Sequence, residues 1–277
     1  ATRIIGFLYL ILLAGSLGET GLGIYQLIFP VYGICFTLYA AGIQTAVSGM
    51  ISYEPSGKHA GILKTGLLLS LMVSCSLSVL LWHFADPVGT CFLGTAQTTP
   101  LLRILCVIFP FCGVTSVING YFYGIGNAKT PAISQILEQL FRVFFVCATG
   151  FLLYHGMLSG ELAVWGLVCG ELAANLYNIS RLLHHIRLRI LVKSLCCFSS
   201  LLKLSLPLIG SKLILSVLGS LESVLIPVML CSYGYEKEDA FGIYGVLSGI
   251  VMPFLLFPGT ITNSLSVLLL PEISHAA

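Results

Sequence analysis

The chain has 277 residues and a net charge of +2, and its composition excludes an ordinary soluble domain. Only 9% of the residues are charged, 57% are hydrophobic, and the mean hydropathy is +1.00; soluble domains have about 25% charged residues. Its 13 basic and 11 acidic side chains are too few to cover a soluble protein of this size. The composition therefore predicts that lipid contacts most of the surface.

Long apolar runs predict an all-α, polytopic membrane helix bundle. About 20 apolar residues are needed to cross the hydrocarbon core, and these runs are longer than barrel strands and lack their alternation. The predicted spans, in chain order, are Ile4–Leu17, Ile24–Ser48, Ile62–Phe84, Leu101–Gly126, Ile133–Tyr154, Leu162–Leu183, Leu204–Val228 and Phe241–Leu270. The first run is short, so we expect that the beginning of this helix is missing.

The loops between these spans alternate between basic and acidic. One set carries Lys58, Lys129, Arg181, Arg187, Arg189 and Lys193, and the other carries Glu19, Asp86, Glu161, Glu236, Glu238 and Asp239. Because Lys and Arg concentrate in cytoplasmic loops, the pattern predicts a multi-pass protein of the cell membrane with a cytoplasmic N-terminus.

The longest basic loop divides the chain into three parts. Residues 1–185 form a six-helix lobe, residues 186–203 form a cytoplasmic inter-lobe loop, and residues 204–277 contain two further helices. Gly23-Ile24-Tyr25 and Gly242-Ile243-Tyr244 each follow an acidic loop and open spans of the same direction. This similarity predicts parallel repeats related by an axis along the membrane normal. A second six-helix unit is then only one-third present, so we expect a truncated chain.

Ionisable side chains within spans are the candidate site residues, because such groups usually face a partner or a wet cavity. Glu138 and Arg142 are four residues apart on one helix face and can pair. This pair either locks the fifth span to its neighbours or forms a wall of a polar cavity, with Gln135 beside it. Asn119 lies near the inner end of the fourth span and is a further cavity candidate.

Two cations on corresponding helices, Arg3 and Lys212, are candidate phosphate ligands, because both helices open their predicted repeats. The alternative is that each side chain extends to the cytoplasmic interface. Glu171 is either protonated, bonded to a helix or exposed to the cavity. Glu222 either balances Lys212 across a short distance or binds a coupling cation.

Other kinds of site are not predicted. The sequence has no Ser/His/Asp set, phosphate-binding loop or HExxH motif, so we expect no enzymatic activity, no metal, no cofactor and no nucleic-acid partner. Its cysteines follow no metal-binding spacing. Those within apolar runs, including Cys75 and Cys147, are predicted to be small buried hydrophobes.

Several stretches together resemble the stage V sporulation protein B group, in the polysaccharide-exporter branch of the multidrug/oligosaccharidyl-lipid/polysaccharide superfamily. They are residues 17–26 with Pro30 and residues 42–48; residues 119–124 with Thr130-Pro131, Gln135, Glu138-Gln139 and Arg142-Val143; and residues 204–207, 220–222, 256–258 and 270–274. The resemblance covers essentially the whole chain.

The resemblance implies a MATE-like, two-lobed bundle with a central cavity and alternating access. It implies outward movement of lipid-linked saccharides of the polyprenyl phosphate type, such as peptidoglycan precursors, in cell-envelope or spore-cortex synthesis. By the same resemblance, Arg3 matches a cavity-lining Arg of lipid II flippases, whereas Lys212 stands where relatives often have Arg. The alternatives are a multidrug exporter of the same fold, coupled to Na⁺ or H⁺ through Glu138 or Glu222, and a membrane scaffold without transport.

Overall fold

The computed structural model describes residues 2–54, 58–153, 159–185, 198–256 and 258–259, and these residues form helices and no strand. The helices are α1 (Thr2–Gln26), α2 (Ile28–Phe36), α3 (Gly42–Tyr53), α4 (His59–His83), α5 (Ala85–Pro87), α6 (Thr98–Gly124), α7 (Lys129–Leu153), α8 (Gly160–His185), α9 (Phe198–Ser232) and α10 (Lys237–Val246). Three π-helical turns, Thr37–Ala41, Val88–Phe92 and Leu247–Val251, follow α2, α5 and α10.

The predicted all-α bundle of eight spans is confirmed. Within the described ranges, eight helical stretches are long and apolar enough to cross a membrane: Ile4–Gln26, Ile28–Tyr53, His59–His83, Thr98–Gly124, Lys129–Gly150, Gly160–His185, Phe198–Ser232 and Lys237–Leu256. Several helices extend beyond their apolar runs, because hydropathy detects the lipid-crossing part rather than the whole helix. The predicted residues 260–270 of the last span lie outside the described part.

The first two spans are separated by a sharp break at Gly18. Its backbone angles, φ 71° and ψ 176°, interrupt α1 and lie where only glycine is free of a Cβ penalty. Leu27, between α1 and α2, keeps helical angles of −65° and −18°. Residues 19–26 lie in the first apolar helical stretch, Ile4–Gln26, but they continue into α2 beyond the break. We therefore count them with the second span and end the first span at about the predicted Leu17.

The turns between spans lie alternately at the two ends of the bundle, as the alternating loop charges predict. At one end, Tyr121 near the end of α6 contacts His59 at the start of α4 and His185 at the end of α8, with ring centroids 6.4 and 6.1 Å apart. At the other end, Gly160 lies beside Leu101, where α8 and α6 begin. The assignment of one end to the cytoplasm stays a prediction.

Apolar residues occur both in the core and on the outer surface. Tyr25, Tyr39 and Phe109 are fully buried, whereas Phe144 and Leu215 are 70% and 71% exposed. Exposed apolar surface of this kind is unfavourable in water and suits a lipid-facing helix.

Two of the cysteines occupy this outer surface. Cys75 and Cys147 are exposed, so the prediction that they are buried is wrong. The lipid-facing side of a helix is as apolar as its packed side, and hydropathy alone therefore does not separate the two.

The beginning of the second span crosses α10 with almost no space between the backbones. A Cβ added at Gly23 would overlap Phe241 O, and one added at Gly245 would lie 2.7 Å from Glu19 O. The two segments run in the same direction, since Glu19 lies beside Gly242 and Gln26 lies beside Gly249. Parallel repeats would place corresponding segments next to a common axis, as observed here; the repeat itself stays a prediction.

We expect Gly245→Ala to destabilise the protein, because its new methyl group meets the backbone of Glu19 rather than a flexible side chain. Overpacking of this kind costs about 1–3 kcal/mol, and a thermal unfolding scan of the purified protein should show a lower Tm. Gly219→Ala is the control, since Gly219 has no atom within 4 Å of its added Cβ. An unchanged Tm in Gly245→Ala would contradict the close crossing.

Candidate functional site

A cavity of about 670 Å³ lies between α1, α7 and the helical stretch after α10. Its polar wall consists of Gln135, Glu138, Gln139 and Arg142. These residues are spaced i, i+3, i+4 and i+7, so they share one face of α7. The structure therefore brings together three of the predicted site residues, Gln135, Glu138 and Arg142, through the periodicity of a single helix.

The remaining walls of this cavity are mostly aromatic and apolar, with polar side chains at Thr2, Gln26 and Ser248. Phe7 and Tyr9 contribute from the first span, Tyr25 and Phe29 from the second, and Met252 from the stretch after α10. Sequence reasoning did not select these residues as cavity-lining, because aromatic side chains in an apolar run give the same signal whether they pack in a core or border a cavity. Tyr25 lies in residues 17–26, which resemble the stage V sporulation protein B group, and this resemblance was the one signal that pointed to a functional role for it.

Glu138 and Arg142 form the predicted ion pair across one turn of α7. Arg142 Nη2 donates to Glu138 Oε1, and Nη1 donates to Gln139 Oε1 at 3.4 Å. The side chains of Arg142 and Glu138 are 16% and 22% exposed. Arg142 Nε is buried and has no hydrogen-bond partner in the described part of the chain. The pair thus neutralises its own charge and also forms part of the cavity wall.

A smaller cavity of about 220 Å³ adjoins this ion pair and contains Glu171. Glu138, Arg142 and Glu171 line it together with apolar residues. Glu171 is only 7% exposed, and its Oε1 has no hydrogen-bond partner among the residues that the structure describes. Burying an unpartnered carboxyl oxygen is costly, so this position demands a functional explanation.

Two glycines bring Glu171 to the ion pair. Gly166 and Gly170 form a GxxxG spacing on α8, which permits close helix contact in membranes. A Cβ added at Gly170 would lie 2.5 Å from Glu138 O and 3.2 Å from Arg142 Cβ. Glu171 follows directly at this contact. Sequence analysis named Glu171 but missed the glycine spacing, which was the signal that joins it to α7.

Asn119 belongs to a buried polar cluster between α6, α7 and α8. Asn178 Nδ2 donates to Asn119 Oδ1 at 3.2 Å and to Ser134 Oγ at 2.9 Å. One turn away, Asn175 Nδ2 donates to Thr115 Oγ1 at 3.3 Å. Within the described residues Asn119 lines neither cavity, and the hydrogen bonds of Asn178 connect it to both α7 and α8.

Lys212 connects α9 to the second span. Its Nζ donates to Ala41 O and to Thr45 Oγ1, both at 2.8 Å. Thr45 Oγ1 also donates to Ala41 O, at 2.9 Å, so these three groups form one hydrogen-bonded cluster. As far as the chain is described, Lys212 lines neither cavity, and its role as a phosphate ligand stays a prediction.

Glu222 and Arg3 complete the set of predicted residues. Glu222 is exposed on α9, and the helical rise places it about 15 Å along the axis from Lys212. The suggested short-range pairing of these two residues is therefore wrong, because ten residues are almost three turns. Arg3 lies within α1, beside the cavity-lining Thr2 and Gly6, but its side chain is outside the described part.

The sequence matches the family of polysaccharide biosynthesis proteins over residues 1–276. The chain belongs to this family.

Two proteins of Bacillus subtilis are similar to this chain in sequence. Stage V sporulation protein B of Bacillus subtilis (strain 168) is 32% identical over 99% of this chain and 55% of its own length. Lipid II flippase MurJ of the same organism is 26% identical over 59% of this chain and 32% of its own length. The chain thus spans about half the length of the first of these relatives.

Solved structures show the same fold. An inward-facing multidrug resistance MATE transporter of the MOP superfamily matches with a TM-score of 0.68 and 18% identity, over 88% of this chain and 56% of that one. A MOP superfamily transporter from Pyrococcus furiosus Vc1 matches with a TM-score of 0.63 and 18% identity, over 90% and 62%. The MATE-like helix bundle expected from the resemblance is confirmed.

We expect Asn178→Ala to destabilise the bundle, because it leaves Asn119 Oδ1 and Ser134 Oγ without this donor. A buried polar group that loses its partner costs about 1–3 kcal/mol, which thermal unfolding of the purified protein should register as a lower Tm. Ser76→Ala is the control, since its exposed hydroxyl donates to Met72 O, one turn back in its own helix. Equal Tm values for the two variants would contradict a stabilising role of the polar cluster.

Proposed function

We propose that this chain is part of a flippase that moves a lipid-linked saccharide outward across a bacterial cell membrane by alternating access. The polar face of α7 carries this proposal: the Glu138–Arg142 pair and two glutamines line a cavity of about 670 Å³ inside a membrane bundle. The cavity is bordered by helices on both sides of the predicted inter-lobe loop. Rocking of the two lobes would open it to one face of the membrane at a time.

Arg142 is the group that we assign to the anionic headgroup. A guanidinium has five N–H donors in a fixed fork, and Arg142 lines the large cavity. Such donors suit phosphate oxygens. Gln135 and Gln139 supply amide groups for the sugar, and the polyprenyl tail would stay in lipid.

Two further cations belong to the proposal as predictions. Arg3 lies in the helical segment of the cavity-lining Thr2 and Gly6, and we expect its side chain to add positive charge there. Lys212 would reach a headgroup only by leaving Ala41 O and Thr45 Oγ1. Lys212 thus fits a step in which the two parts of the bundle separate.

The sequence relatives support a lipid-linked substrate. One of them is named a lipid II flippase and another a stage V sporulation protein. Envelope or spore-cortex synthesis is accordingly the process that we propose.

Cation-coupled multidrug export is the second candidate function. One observation favours it: Glu171 is buried with a free oxygen beside Glu138, and such an arrangement of carboxylates suits a proton or Na⁺ site. The same fold occurs in transporters named for multidrug resistance.

Neutralising the ion pair tests the flippase. The double variant E138Q/R142Q removes both charges and leaves neither stranded, so the fold should be retained. Loss of charge-assisted bonds worth about 1.5–3 kcal/mol should reduce transport about tenfold or more. Movement of a lipid-linked saccharide across proteoliposomes measures this, together with rescue of a flippase-deficient strain.

A second ion pair provides the matched control. Asp86 and Arg103 pair at 2.9 Å on the exposed surface, and D86N/R103Q should transport normally. Normal transport by E138Q/R142Q would contradict the proposed headgroup site. Sodium-dependent drug efflux without any lipid movement would favour the exporter instead.

A further inference from the structure

An acidic and a basic side chain line the same small cavity, and each has a buried atom without a hydrogen-bond partner. Glu171 Oε1 lacks a hydrogen-bond donor, and Arg142 Nε lacks an acceptor, within the described residues. Both residues line the cavity of about 220 Å³. Of the eight described residues that line it, Arg142 is the cation.

We propose that Arg142 exchanges partners, binding Glu138 in the present arrangement and Glu171 in a second one. Glu171 is then a positioning residue for the cation that the proposed function assigns to the headgroup. The regulatory part of this inference rests on that proposed function, whereas the exchange itself does not.

The helix contact makes this exchange geometrically reasonable. Gly170 sets α8 directly against Glu138 O and Arg142 Cβ, at 2.5 and 3.2 Å from its added Cβ. Glu171 is the next residue along the chain. Arg142 lines both cavities and Glu171 lines the smaller one, so a rotation of the Arg142 side chain toward the smaller cavity would bring the guanidinium toward Glu171.

The two carboxyl groups differ in what they lose when Arg142 leaves. Glu138 is 22% exposed and borders the large cavity, where solvent can reach its carboxylate. Glu171 is only 7% exposed and does not line the large cavity. Both positions of Arg142 are therefore feasible, and the buried position gives Glu171 Oε1 the donor that it now lacks.

The exchange would control the charge of the large cavity. With Arg142 on Glu138, the pair is neutral and the guanidinium stays at the wall of the large cavity, where an anion can meet it. With Arg142 on Glu171, Glu138 becomes an unpaired carboxylate on the cavity wall, and like charge repels a phosphate group. The first arrangement favours binding of an anionic headgroup, and the second favours its release.

A double-mutant cycle on thermal stability tests the exchange without any substrate. In E138Q, Arg142 should move to Glu171, and in E171Q it should stay on Glu138, so each single variant should lose little stability. E138Q/E171Q leaves a buried guanidinium without a carboxylate. The decrease in its Tm should exceed the sum of the two single decreases by about 5 °C or more. Additive single effects would overturn the proposal.

A triple variant tests whether the unpaired cation causes the loss of stability, even if the double variant does not fold. E138Q/E171Q/R142M removes the stranded cation, and we expect it to regain most of the lost stability or expression. Failure to regain either would mean that the loss had another cause, which also overturns the proposal.

Inorganic pyrophosphate, used as a soluble anion, separates the exchange from the proposed function. It should raise the Tm of the wild-type protein and of E171Q, in which Arg142 is held at the large cavity, and leave the Tm of R142M/E138Q unchanged. A non-additive cycle with no pyrophosphate effect on any variant would support the exchange and contradict the headgroup site.

Discussion

Every polar side chain within the spans of this bundle has to find its partner inside the protein, since lipid offers none. This constraint explains why the described polar groups are concentrated where helices meet. Asn178 donates hydrogen bonds to residues of two other helices, and Lys212 donates to a backbone carbonyl at a π-helical turn. Glu138 forms an ion pair with Arg142. Among the described residues, four buried polar atoms have no hydrogen-bond partner, and two of them, Glu171 Oε1 and Arg142 Nε, belong to side chains that line one small cavity.

Glycine residues allow particular pairs of helices to approach closely. Gly23 and Gly245 allow the second span and α10 to touch through their backbones, and Gly170 does the same for α8 and α7. The first contact joins the two parts of the chain that flank the predicted inter-lobe loop. The second lies within the six-helix part and sets Glu171 beside the ion pair. The same packing device thus supports both the junction and the candidate site.

Polar and apolar walls of the large cavity fit an amphipathic molecule. The face of α7 supplies charge and amide groups, while α1, the second span and the stretch after α10 supply aromatic and aliphatic surface. Membership of the polysaccharide biosynthesis family agrees with the saccharide-bearing ligand that we propose, and the helix bundle has the fold of MATE transporters.

The sequence by itself determined the helical class, the number of spans and the alternation of their ends, because hydrophobic length and loop charge are local properties that lipid enforces. It also determined that Gln135, Glu138 and Arg142 share one face, since helical periodicity requires this.

Only the tertiary structure decided which side chains meet across helices. It joined Glu171 to the Glu138–Arg142 pair through the glycine contact, placed Asn119 in a buried cluster, and directed Lys212 to Ala41 instead of Glu222. It also showed that Cys75 and Cys147 face outward. These outcomes depend on the rotation of each helix about its axis, and in a uniformly apolar span hydropathy does not fix that rotation; packing does.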